Sequence, residues 1–201
     1  LQLAKAELAG PWDAFAHAAE AACDAADVVF YLTQRDREAL TAYAPAGQHH
    51  THLRPFLSRM DLPPIASGKH LLAVGMMRSA AKLPSYALIA QTMALLPADI
   101  SLEIAGDGPA RAQIEALMGP FGARVRFLGV LDAAALAQAY GRAGALIWPG
   151  VDEAFGMTYL EAQSYGLPVI AQDRPGVRDV LFPRAYPAVA DGAAGLAALA
   201  K

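Results

Sequence analysis

Two acidic residues, Glu153 and Glu161, stand with seven residues between them, and Phe155-Gly156 lies in that interval just where a helix is expected to begin. Glu153 then sits in the loop ahead of the helix mouth, and Glu161 lies about one and a half turns inside. The N–H groups of Gly156, Met157 and Thr158 have no helical partner at such a terminus, and glycine lets an anion come close to the backbone. A diphosphate fits that description. A carboxylate on either side of it can accept hydrogen bonds from sugar hydroxyls. The plain alternative is an acid that complements the helix dipole at 153 and a solvated helix face at 161.

Arg78 and Lys82 follow the first strand of the regular part of the chain, on the same sheet edge. An arginine fork and a flexible ammonium there can neutralise two phosphates from the other side, although most such residues are simply solvated. Gly106-Asp107-Gly108-Pro109 looks like half of a dinucleotide fingerprint. It lacks the Gly-x-Gly-x-x-Gly spacing and the acid about 20 residues on, so it reads as a tight turn before a proline-started helix, and a nicotinamide cofactor is not expected. His49, His50 and His52 share no single strand face and have no acidic partner; a solvated strand end is preferred to a metal site. Met76, Met77 and Trp148 read as core or pocket wall, and Cys23 as a small helix-packing residue.

These residues need a scaffold of strand ends and helix starts, and the pattern supplies one. Strands are expected at 28–32, 49–55, 70–74, 100–105, 125–128, 145–148 and 169–171. Helices are expected at 12–26, 34–43, 84–96, 110–118, 132–143 with Asp132 as cap, 156–165 and 176–181. Short strands alternating with helices of about ten residues imply right-handed βαβ units. The fold class is therefore α/β, a parallel sheet with helices on both faces, whose ligands bind beyond the carboxyl ends of the strands. The polar, proline-punctuated stretch 58–67 marks a domain boundary.

Composition narrows the function classes. With one cysteine in 201 residues there is no disulfide framework and no thiolate metal site. The apolar fraction of 55% is rich in alanine (46 residues), and no apolar run reaches the roughly 18 residues of a membrane span. Sixteen basic against nineteen acidic residues give no field that would draw nucleic acid. The amino terminus has neither an initiator methionine nor a signal-peptide pattern and reads as a cut chain.

The stretch from Glu153 to Ala162, followed by Gly166-Leu167-Pro168-Val169-Ile170-Ala171, resembles the Glu-x7-Glu segment of the retaining glycosyltransferases of family 4, the "group 1" family with the GT-B fold. Val74-Gly75 with Arg78 and Lys82, Gly106-Asp107-Gly108-Pro109, Val125-x-Phe127-Leu128-Gly129 and Gly176-Val177-Arg178-Asp179-Val180 occur in that family's order, so the resemblance covers about residues 68 to 190. Three places depart from the family's pattern. Met76 stands where Gly-Arg is usual, with Arg78 two positions later; Lys82-Leu83 replaces Lys-Gly, and Arg178-Asp179 replaces Pro-Glu. These departures bear on the register of the phosphate grip and keep its charges.

The resemblance implies a C-terminal, Rossmann-like, donor-binding domain over 68–201, a linker over 58–67, and a remnant of an N-terminal acceptor domain over 1–57. It implies hexosyl transfer with retention from a UDP-sugar or GDP-sugar, without metal or other cofactor, to a glycan or lipid-linked acceptor bound through a missing domain, this chain being inactive alone. Arg78 and Lys82 would grip the diphosphate, capped by Gly156, Met157 and Thr158, with Gly75 and Phe155 alongside. Glu161 would bind the ribose, Glu153 the hexose, and Val130 and Leu131 the base. The protein would be cytoplasmic or, at full length, peripheral at an inner membrane. The alternatives are a non-catalytic nucleotide-sugar-binding module and a GT-B epimerase.

Overall fold

The computed structural model describes residues 14–58, 68–78, 82–154, 156–181 and 185–200. The chain divides into two compact units, Leu1–Pro55 and Phe56–Lys201. Apart from Ser58, the stretch 58–67 expected to link two domains lies outside the described residues.

The first unit contains α1 (Ala14–Asp24), β1 (Val28–Tyr31), α2 (Gln34–Tyr43) and β2 (His49–His52). The strands are parallel, with Val28 opposite His49 and Tyr31 opposite His52. The start of α2 is fixed by a capping box in which Thr33 Oγ1 accepts from the Asp36 amide while the Thr33 amide donates to the Asp36 carboxylate, both at 3.1 Å. Gln48 Nε2 donates to the carbonyls of Cys23 (2.7 Å) and Ala26 (2.8 Å), tying the end of α1 to the entry of β2. The His52 ring stacks on Tyr31, and His50 Nε2 lies 3.1 Å from Gln48 Oε1. Val28 and Phe30 of β1 are exposed.

The second unit runs β3 (Leu71–Val74), α3 (Leu83–Leu95), β4 (Leu102–Ala105), α4 (Arg111–Met118), β5 (Val125–Gly129), α5 (Ala133–Arg142), β6 (Ala145–Ile147), α6 (Met157–Ser164), β7 (Val169–Ile170) and α7 (Gly192–Leu199). The five strands form one parallel sheet in the order β5-β4-β3-β6-β7. Leu71, Leu72 and Ala73 of β3 and all four residues of β4 are buried, the continuous burial of strands covered on both faces. The chain steps from β3 to β4 to β5 in one direction, then crosses to β6 and β7 in the other. Right-handed crossovers therefore put α3 and α4 on one face and α5 and α6 on the opposite one. Ile89 and Met93 of α3, Ile114 and Met118 of α4, Tyr140 of α5 and Tyr159 of α6 fill the two layers of core. Among the described residues no helix is long and apolar enough to cross a membrane.

Asp132 caps α5 as expected, its Oδ1 accepting from the Ala135 amide at 2.8 Å. Two segments differ from the sequence pattern. Residues 176–181 form consecutive turns, not a helix, with the Val177 amide donating to Arg174 O and the Leu181 amide to Val177 O. Pro175 precedes a glycine at φ +74°, outside the helical region, and breaks the run. The helix α7 was not anticipated. Its Gly-Ala-Ala-Gly-Leu-Ala-Ala-Leu sequence places only Leu196 and Ala197 in the core, against α3, which is too sparse a stripe to register as amphipathic.

At the amino ends of the strands, Glu103 of β4 is buried. It is held by Arg126 of β5 and by Arg142 at the end of α5 (Nη2–Oε2 2.6 Å, Nε–Oε2 3.1 Å), and His70 Nε2 lies 3.3 Å from its Oε2 without forming a hydrogen bond. Burial alone would raise its pKa. The hydrogen bonds from Arg126 and Arg142 outweigh that and hold the carboxyl below its ordinary range. This cluster lies at the end of the sheet away from the loops that carry the candidate site.

Candidate functional site

The strand order reverses between β3 and β6, and open α/β sheets bind ligands beyond the carboxyl ends of the strands at such a switch point. A cleft of about 400 Å³ occupies that position. Its floor is Val74-Gly75-Met76 at the end of β3 and Trp148 after β6. One wall is Ala105-Gly106-Asp107 at the end of β4 with Val130-Leu131 after β5. The other is the start of α6, with Glu153 ahead of it and Glu161 within it.

Gly75 allows that floor to form. A Cβ there would lie 2.8 Å from Trp148 Cη2, so any side chain would push the indole out of its place. Tyr86 of α3 stands edge-on to the same indole and donates to the Gly75 carbonyl at 2.7 Å. Burial pushes the Tyr86 phenol pKa up, so it remains a donor.

The mouth of α6 is shaped by Gly156, its N-cap, at φ +52° with no side-chain cap. A left-handed conformer is costly for other residues, and a Cβ here would also fall 2.6 Å from Cε2 of the buried Tyr159 ring. The amides of Gly156, Met157 and Thr158 meet no acceptor among the described residues. They open into the cleft with the positive end of the helix dipole behind them.

Glu153 is held in the loop just ahead of this mouth. Its Oε2 accepts from Lys82 Nζ at 2.6 Å and from the Trp148 indole Nε1 at 2.9 Å. Lys82 Nζ also lies 5.6 Å from the centre of the Trp148 ring. The pair is largely withdrawn from water, with side-chain exposures of 16% and 12%. Glu161 is held differently. Its Oε2 accepts from the Tyr140 hydroxyl at 2.7 Å, and that hydroxyl is 3.0 Å from Thr158 Oγ1.

The sequence candidates thus fall into three groups. Gly75, Lys82, Val130, Leu131, Glu153, Gly156, Met157, Thr158 and Glu161 line one cleft. Arg78 does not line it; the residue is exposed and forms no ion pair with any described residue, and its carbonyl accepts from the Lys82 and Leu83 amides. Phe155 lies outside the described residues. Tyr140 was missed altogether. On an alanine-rich helix a tyrosine reads as core, and the available signal was that a buried tyrosine hydroxyl needs a partner.

Residues 68–199 match the family described as Glycosyl transferases group 1. The chain belongs to the group 1 glycosyltransferases. Among curated relatives of this group 1 chain is the GDP-mannose-dependent alpha-mannosyltransferase of Mycolicibacterium smegmatis, 39% identical over 85 residues, which are 42% of this chain and 22% of the relative. The match therefore covers about a fifth of that relative's length. A sucrose-phosphate synthase from Thermosynechococcus elongatus superposes with a TM-score of 0.73 at 22% identity, covering 100% of this chain and 59% of that one. The Anabaena protein HepE, solved with UDP and glucose, superposes with a TM-score of 0.72 at 16% identity, over 92% and 55% of the two chains. The sheet of this group 1 chain is accordingly the Rossmann-like type of GT-B glycosyltransferases.

Proposed function

We propose that residues 68–199 are the donor-binding half of a hexosyltransferase that takes its sugar from a nucleoside diphosphate and transfers it with retention. The acceptor, a glycan or lipid-linked sugar, would be bound by a further domain, so this chain binds donor without transferring. The observation that carries the reading is the placement of Glu153 and Glu161 on either side of the uncapped mouth of α6, in one cleft with Lys82. The GDP-mannose dependence of one relative and the UDP and glucose held by one structural neighbour support a nucleotide-sugar ligand. The retaining outcome rests on the Glu-x7-Glu resemblance.

In this reading the diphosphate sits on the amides of Gly156, Met157 and Thr158. Lys82 has three N–H donors, so it can keep Glu153 and still reach a phosphate oxygen. Arg78 reaches the phosphates only if its loop turns inward. Glu161 accepts from the ribose hydroxyls, Glu153 from a hexose hydroxyl, and Val130 with Leu131 forms an apolar seat for the base. As the bond between sugar and phosphate breaks, negative charge grows on the leaving diphosphate. The ammonium and the helix amides already face that charge, the role a divalent cation fills in other transferases. The base could be uracil or guanine, since an apolar seat distinguishes them poorly.

Thermal melting with UDP-glucose and GDP-mannose tests the reading. Ligand at a hundred times its Kd adds about 2.7 kcal/mol to the folded state, so at least one of the two should raise the melting temperature by several degrees. Glu161→Ala should abolish the rise. No rise with either nucleotide sugar, or a rise that Glu161→Ala leaves intact, would overturn it.

A further inference from the structure

The hydroxyl of Tyr140 is the group this site holds without a role in the donor reading. Tyr140 is buried in α5, its ring stacked on Tyr165 at 5.3 Å between centroids, so the phenol has little room to swing. Its hydroxyl donates to Glu161 Oε2 at 2.7 Å and touches Thr158 Oγ1 at 3.0 Å. Glu161 Oε1 has no partner among the described residues, and Glu161 lines the cleft.

A glutamate side chain on a helix surface samples several rotamers, and fixing it has an entropic cost. A buried donor already aimed at one oxygen meets that cost before any ligand arrives. The donor is also neutral. An ammonium in the same place would offer competing N–H groups and offset the carboxylate's charge, whereas a phenol leaves the second oxygen fully available as an anionic acceptor. Burial, together with the negative Glu161 beside it, raises the Tyr140 pKa, so the phenol stays protonated and keeps donating.

We propose that Tyr140 is a positioning residue. By holding Glu161 Oε2 it dedicates Oε1 to the paired hydroxyls of a ribose, and it makes the site select ribonucleotides over those whose sugar lacks these hydroxyls. The inference rests on the reading of Glu161 as the ribose acceptor, which the resemblance implies; the assignment to Tyr140 comes from its hydrogen bond and its burial. A tyrosine that only packed its ring would leave the discrimination between the two kinds of sugar unchanged when its hydroxyl is removed.

The test is calorimetric titration of UDP, GDP and their 2′,3′-dideoxy counterparts into the wild-type chain, Tyr140→Phe, Glu161→Ala and the double variant. The wild type should prefer the ribonucleotide. Tyr140→Phe should weaken ribonucleotide binding by about tenfold, as loss of one hydrogen bond to a charged group does, and leave the dideoxy nucleotide within about twofold. Adding Tyr140→Phe to Glu161→Ala should change nothing further, because the phenol acts through the carboxylate. Equal losses for both sugars, or no loss at all, would overturn the assignment while leaving the ribose reading standing. Equal binding of the two sugars by the wild type would instead overturn the ribose reading, and the assignment with it.

Discussion

The two carboxylates of the cleft are buttressed by opposite means. Glu153 is locked into a nearly buried ion pair with Lys82, backed by the Trp148 indole. Glu161 is held by a neutral phenol. A cation beside a carboxylate creates a site where charge is balanced before a ligand arrives, and where an incoming phosphate must share the ammonium. A phenol beside a carboxylate leaves its charge unspent, which suits hydrogen bonding to hydroxyls. In the proposed reading, the same residue type at the two ends of one short segment serves the hexose and its diphosphate beside Lys82 at one end and the ribose at the other.

The largest effect that can break this contrast is on stability. Lys82→Met leaves Glu153 as an unpaired carboxylate in a largely dry place, and removal of one partner of a buried pair costs about 3–5 kcal/mol; the residual exposure of both side chains puts the expected loss at or below the lower figure. Adding Glu153→Gln should restore most of it. Urea unfolding of the two single variants and the double variant measures this, and additive losses would show that the pair is not coupled. At the other carboxylate Tyr140→Phe removes a neutral donor and should cost only about 1 kcal/mol.

Next is the element the two ends share. Gly156→Ala forces a β-carbon into a left-handed conformer and toward the Tyr159 ring, so it should destabilise by about 1–3 kcal/mol and weaken both ends together. A variant that loses diphosphate affinity while keeping full nucleoside affinity would show that the helix mouth serves one end alone.

The smallest effect on nucleotide binding is expected from a cluster remote from both ends. Glu103 has a depressed folded-state pKa, so its contribution to stability is fully present above the ordinary carboxylate range and is lost as the pH falls through the folded value. Melting temperature should fall on acidification below that range, and Glu103→Gln should flatten that slope without changing nucleotide affinity. An unchanged slope would show that other carboxylates carry the acid sensitivity.

Much of the scaffold was legible in the sequence because the signals were local. Continuous apolar strands such as Leu71–Val74, the Asp132 cap and the Gly156 helix start each act within a few residues. The terminal helix was not legible, since its alanines pack against α3 through only two buried residues. The lining of the cleft by Lys82, Glu153 and Glu161 followed from strand ends and helix starts, which topology forces onto one edge. Which of two basic residues enters the cleft did not follow, because Arg78 and Lys82 differ only by the path of a loop. Nor did the partners of each carboxylate. Tyr140 and Trp148 reach them across 21 and 5 positions of sequence, and a contact between elements leaves no periodic trace.

The central claim is that one end of the cleft reads phosphate and the other reads ribose. It is tested most directly by titrating uridine, guanosine, UDP and GDP into the wild type, the Lys82→Met/Glu153→Gln variant and Glu161→Ala. The account predicts that removing the ion pair cuts diphosphate affinity about tenfold and spares the nucleosides, whereas Glu161→Ala weakens nucleoside and nucleotide alike. Loss of nucleoside affinity in the variant lacking the ion pair, or nucleoside affinity untouched by Glu161→Ala, would contradict it.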